Sequence, residues 1–143
     1  MARLSDQERA ARILQQHREL LELLARIERV LGERSASVAD AARLLGQLGD
    51  QLVKHFTLEE GDGYFSEALT QAPQLVARAN DLLAQHPKMT AMARELAGAE
   101  PGPEWWTETR RRYQAFVAEL RAHERLEDQL LQQAYTQDLS AHD

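Results

Sequence analysis

Four stretches of this chain place apolar residues at alternating three- and four-residue steps, and each stretch carries a histidine on that same stripe. Ile13, His17, Leu20, Leu24, Ile27 and Leu31 form the first; Val38, Ala41, Leu45, Leu48, Leu52, His55 and Glu59 form the second. Leu75, Ala79, Leu82, His86, Met89, Ala93 and Leu96 form the third, and Tyr113, Phe116, Leu120, His123, Glu127, Leu130 and Ala134 the fourth. Steps of three and four return to one face of an α-helix, so each stripe is the buried seam of a bundle helix. No stretch competes as a strand. The expected fold is all-α: an up-down-up-down antiparallel four-helix bundle, one domain over 1–143, with helices near 5–31, 38–69, 73–98 and 103–137.

Local signals set these limits. Ser5 with Glu8 three residues on is a capping box, and Ser37 after the break at 32–36 is positioned to cap the second helix, with Asp40 near its positive end. Gly61 and Gly63 are costly inside a helix. Even so, the second helix is expected to run on through a kink to Leu69. Only then does each helix extend 12 or 13 residues from the histidine level to the end of the bundle that holds both termini, a height of about 18 Å. Pro73 suits a first helical turn, whereas Pro87 should bend the third helix beside His86. The stretch 98–103 is the clearest break, and Trp105 and Trp106 are expected to cover the end of the bundle beyond it.

The stripes place polar groups where leucines belong. His55 and Glu59 stand four residues apart, on one helix face. The pattern returns 68 residues later, where Leu120, His123, Leu126, Glu127 and Asp128 match Leu52, His55, Leu58, Glu59 and Glu60. ILQQHREL at 13–20 likewise echoes LLAQHPKM at 82–89, so the chain reads as two helical hairpins related by a pseudo-twofold. With the helices at matched height, His17, His55, His86 and His123 converge with Glu59 and Glu127 on one layer.

A buried carboxylate is costly unless it is paired or binds a metal. The chain has no cysteine, which excludes thiolate sites and disulfides, and nitrogen and oxygen donors suit iron, manganese or zinc. Six side chains are too many for one ion that must keep a reactive position, but they fit two. If both glutamates bridge, each ion also takes two histidines, and a shared oxo or hydroxo leaves about one of six positions open. A small diatomic or peroxide is the ligand expected there. The net charge of −6 argues against nucleic acid or an anionic membrane as a partner. No run is long and apolar enough for a membrane span, nothing at the start reads as a signal peptide, and a cytoplasmic location is expected.

The order His17, His55-x-x-x-Glu59, His86, His123-x-x-x-Glu127 resembles the hemerythrin-like, or HHE cation-binding, domain over about residues 5–135. The resemblance implies a non-haem di-iron centre with the glutamates as bridges and the histidines as terminal ligands. Oxygen carriers of that family have a further histidine four residues after the third-helix one, where this chain has Thr90. That departure weighs against reversible oxygen carriage and suits oxidation chemistry, peroxide or nitric oxide handling, or iron sensing. Those carriers also use an aspartate five residues after the last histidine, the place of Asp128. The seam favours Glu127, since a four-residue step turns about 40° and a five-residue step about 140°.

Other readings stand beside this one: a non-catalytic sensor or iron-storage module, a zinc or manganese site, and a metal-free scaffold whose polar layer fixes helix register. Either glutamate alone would suit a surface pair with Lys54 or Arg125. Glu60 and Asp128 read as solvated groups or as acceptors for histidine N–H atoms. Glu124 and Arg110 to Arg112 read as surface, Met89 and Met92 as core filling, and His142 as part of a disordered tail. Tyr64, Tyr113 and Tyr135 read as core residues with hydrated hydroxyls, Tyr64 being the one near enough to approach the layer.

Overall fold

The computed structural model describes residues 6–61, 70 and 72–142, with the side chains of 11, 12, 14–60, 70 and 72–134. Helices α1 (Asp6–Glu33), α2 (Val38–Gly61), α3 (Val76–Leu83), α4 (His86–Ala97) and α5 (Trp105–His142) follow in order, with a 3-10 turn at Pro73–Leu75 leading into α3. Among the described residues there is no strand. Helices α3 and α4 together form the third rod of an antiparallel four-helix bundle. Helix α1 packs on α2 and α5, α2 on α4, and α5 on both α3 and α4, which closes the four-sided arrangement.

The seams fall where the three-four pattern puts them. Each seam residue of the third and fourth rods is buried, as are Leu20, Leu24, Ile27 and Leu31 of α1 and Ala41 through Glu59 of the α2 stripe. Each fully buried leucine is worth roughly 1.5–3 kcal/mol relative to exposure, so these stripes hold the rods together. The apolar core divides in two. A larger cluster contains Leu24, Leu45, Leu52, Met89, Phe116 and Leu120, and a smaller one Leu75, Ala79, Leu82, Leu130 and Ala134. His86 lies between Leu82 and Met89 in sequence, and His123 and Glu127 lie between Leu120 and Leu130. The polar residues therefore form a layer between two oily blocks.

Ser37 caps α2 as its sequence suggests: its Oγ accepts from the Asp40 amide at 3.1 Å. Arg34, just past α1, adopts a positive φ of 52°, a conformation that usually falls to glycine. The third rod is broken rather than bent. Pro87 lacks an amide and its ring crowds the carbonyl four residues back, so α3 stops at Leu83 and α4 restarts at His86. Between them the Gln85 amide bonds to Leu82 O at 3.1 Å in a 3-10 turn. Pro73 opens the preceding 3-10 turn, at the helix-start position expected for it.

The last helix continues through His142, beyond the expected limit near 137, so that residue is part of α5 and not of a tail. Trp105 is buried and Trp106 packs on the core, edge to face with it at 5.0 Å. The Ser5 cap, the continuation of the second helix over 62–69 and the placement of Tyr64 and of the Tyr135 side chain lie outside the described residues. Among the described residues no helix is long and apolar enough to cross a membrane.

Candidate metal centre

The polar layer is assembled from all four rods. On α2 the four-residue spacing sets His55 Nε2 in contact with Glu59 Oε1, and on α5 it does the same for His123 Nε2 and Glu127 Oε1. His86 enters at the first turn of α4, where Pro87 has forced the helix to restart. Its Nε2 lies 3.1 Å from His123 Nε2, 3.2 Å from Glu127 Oε1 and 3.6 Å from Glu59 Oε2. His17 on α1 lies beside His55 with ring centroids 4.8 Å apart and planes tilted by 48°. His55, Glu59, His86, His123 and Glu127 are each 2–3% exposed. His17 is the open member, with 31% of its side chain exposed.

Two donor groups result, each with its ligand atoms within 4.8 Å of one another: His17, His55, Glu59 and Glu124; and His86, His123 and Glu127. All six residues singled out in the sequence are thus brought together. Glu59 joins the groups, with one oxygen on His55 and the other facing His86. Glu127 gathers with His86 and His123, and its charge bears on Glu59 of the first group.

Glu124 corrects the surface reading of that residue. Its Oε1 lies 3.2 Å from His55 Nε2 and its Oε2 3.4 Å from His17 Nε2, with 20% of its side chain exposed. The seam pattern could not expose it, because Glu124 adjoins His123 and stands off the α5 stripe. The signal was the alignment of the two halves, which pairs Glu124 with Phe56. Asp128 is exposed while Glu127 is buried, in line with the turn-angle argument for Glu127.

The imidazoles are held from behind. His86 Nδ1–H donates to Glu60 Oε1 at 2.9 Å, and His123 Nδ1–H to Gln85 Oε1 at 3.0 Å. Glu60 is therefore an acceptor for a histidine, as one of its two sequence readings has it. With Nδ1 protonated, a neutral imidazole presents its Nε2 lone pair to the layer, the form a metal requires.

The electrostatics press for a cation. Burial, then the hydrogen bond and charge of Glu127, drive the Glu59 carboxyl far above the ordinary range. Burial pushes Glu127 up as well, but hydrogen bonds from His123 and His86 outweigh it and hold this carboxyl low. Glu124 is also lowered, the bonds from His17 and His55 outweighing its burial. Two touching carboxylates in an apolar interior share a proton unless a cation replaces it. Glu59 Oε2 is buried without a hydrogen-bond partner. A set of imidazole nitrogens and carboxylate oxygens in two adjoining groups fits two divalent or trivalent cations of the iron, manganese or zinc type.

The groups differ in their access to solvent. Phe56 lies against His86 and edge-on to His123. On the other side, a cleft of about 610 Å³ between α1 and α5 has His17 and Glu124 in its wall, with Leu20, Leu24 and Leu120.

Comparison with protein families gives a match to the hemerythrin HHE cation-binding domain over residues 9–137. No curated protein sequence and no solved structure matches the chain.

Proposed function

Because the chain belongs to the hemerythrin HHE cation-binding domain family, we propose that its metal is iron and that two irons share the layer. In this reading His17, His55 and Glu124 would hold one ion and His86, His123 and Glu127 the other, with Glu59 standing between the two groups. The observation that carries it is the span of Glu59, whose two oxygens face histidines of different groups. When bound, such a pair of irons would supply electrons to a small oxidant such as oxygen, peroxide or nitric oxide.

The chain's own residues determine how that oxidant arrives. It comes from the cleft between α1 and α5, past Leu20, Leu24 and Leu120 to the side of His17 and Glu124. Phe56 keeps water from the second group by covering His86. Two neutral imidazoles per group with three buried or half-buried carboxylates balance most of the charge of two irons, which favours retention of the metal in a dry core.

The test is elemental analysis and a near-ultraviolet and visible spectrum of protein purified aerobically from iron-supplemented cells. Consumption of hydrogen peroxide and of nitric oxide is then assayed. Two irons per chain with oxo-to-iron charge-transfer bands, and turnover of either oxidant, are expected. Protein without a transition metal overturns the reading. Two irons without turnover place the chain among sensors or storage modules.

A further inference from the structure

His55 and His123 occupy equivalent places in the two halves of the chain, and His123 carries a hydrogen bond whose counterpart position at His55 is open. In the second half, Gln85 precedes His86 on the third rod and its Oε1 accepts from His123 Nδ1 on the fourth at 3.0 Å. The 69-residue echo places Gln16 at the position of Gln85, before His17 on the first rod. The 68-residue echo places His55 at the position of His123, on the second rod. The pseudo-twofold therefore pairs Gln16 with His55.

Two orphaned atoms mark that pair. Gln16 Oε1 and His55 Nδ1 are both buried and both without a hydrogen-bond partner. One is an acceptor and the other, in a metal-binding imidazole, a donor. They belong to adjacent rods, and the ring of His17, the neighbour of Gln16, already lies 4.8 Å from that of His55, tilted by 48°. The other glutamine of the QQH triplet is engaged elsewhere: exposed Gln15 bonds to Glu19 and to Arg18. A buried donor and a buried acceptor left apart cost about 1–3 kcal/mol each, so a side-chain arrangement that joins them is favoured.

We infer that Gln16 is a positioning residue that accepts from His55 Nδ1, the counterpart of Gln85 on His123. Each amide oxygen, being able only to accept, fixes the proton on Nδ1 and turns the Nε2 lone pair toward the carboxylates. The acceptor is then neutral for both His55 and His123, whereas His86 on the third rod has the carboxylate of Glu60. This inference rests on the metal-centre reading and adds to it the groups that set the tautomers of His55 and His123.

The test uses zinc, which is diamagnetic, as the probe. In zinc-loaded, nitrogen-15-labelled protein, slowly exchanging Nδ1 protons are expected on both His55 and His123. Gln16→Ala should abolish protection at His55 alone and weaken zinc binding, measured against a chelator, on the order of 10- to 100-fold. Gln85→Ala should do the same at His123. Gln16→Glu, which restores an acceptor, should rescue both readouts, and Gln15→Ala should change neither. Unchanged zinc affinity and His55 protection in Gln16→Ala overturn the inference while leaving the metal centre intact. A wild-type chain that binds neither zinc nor iron overturns both.

Discussion

Phe56 lies flat on His86, with ring centroids 3.8 Å apart and planes 5° from parallel. Its counterpart across the 68-residue echo is Glu124, which faces His17 and His55 instead. The residues that follow His55 and His123 thus reach across to the opposite histidine pair, as an aromatic cover in one half and a carboxylate in the other. The two donor groups are related by sequence and differ in chemistry.

Glu124→Gln keeps the shape of the side chain and removes its charge. One of the two ions should then bind on the order of tenfold or more weakly, while the ion among His86, His123 and Glu127 is retained. Metal titration followed by competition with a chelator reads this as a change from two tight equivalents to one.

Phe56→Ala removes a buried ring and leaves a cavity beside His86. The expected loss of stability is about 3–5 kcal/mol, read from urea unfolding of the metal-loaded protein. A loss below about 1 kcal/mol would show that the stack contributes little.

Stability of the metal-free protein should fall as pH rises through neutrality. The Glu59 carboxyl is raised in the folded chain by burial and by Glu127, so the folded state keeps a proton that the unfolded state has released. Its contribution is complete below the ordinary carboxyl range and is lost progressively toward the raised folded value, with a slope of at most about 1.4 kcal/mol per pH unit. Glu127 and Glu124 are lowered, so theirs is lost only as pH falls into the acid range. Bound metal displaces the Glu59 proton and should remove the slope. Urea midpoints from about pH 6 to 9, with and without metal, check the sign.

Arg34→Gly should stabilise the protein. Arg34 holds a left-handed backbone at the end of α1 that costs a side-chain-bearing residue about 1–2 kcal/mol. Glycine relieves this and loses some of the gain to its freer unfolded chain, leaving about 0.5–1 kcal/mol, measurable as a higher melting temperature.

Much of the fold was legible because the seams are regular. Four stripes with a step of three or four specify four rods, and burial follows them almost residue for residue. Tyr113 was less legible. Tyr113 has a buried hydroxyl that donates to Leu24 O at 2.7 Å, rather than to water, because that partner comes from a different rod. The echo also fails at one place: Leu58 is buried whereas Leu126 is 42% exposed.

Local chemistry along the chain determined the rods, the Ser37 cap, that Pro87 disturbs the third rod, and the set of histidines and glutamates on the seams. These depend on neighbours a few residues away, within one helix. The tertiary structure alone decided that Glu124 joins the layer, that Gln85 reaches His123, that Phe56 covers His86 and that the cleft opens beside His17. Each of those is a contact between rods, set by how four helices rotate and slide against one another. That geometry is fixed by packing, which no periodicity along a single helix encodes.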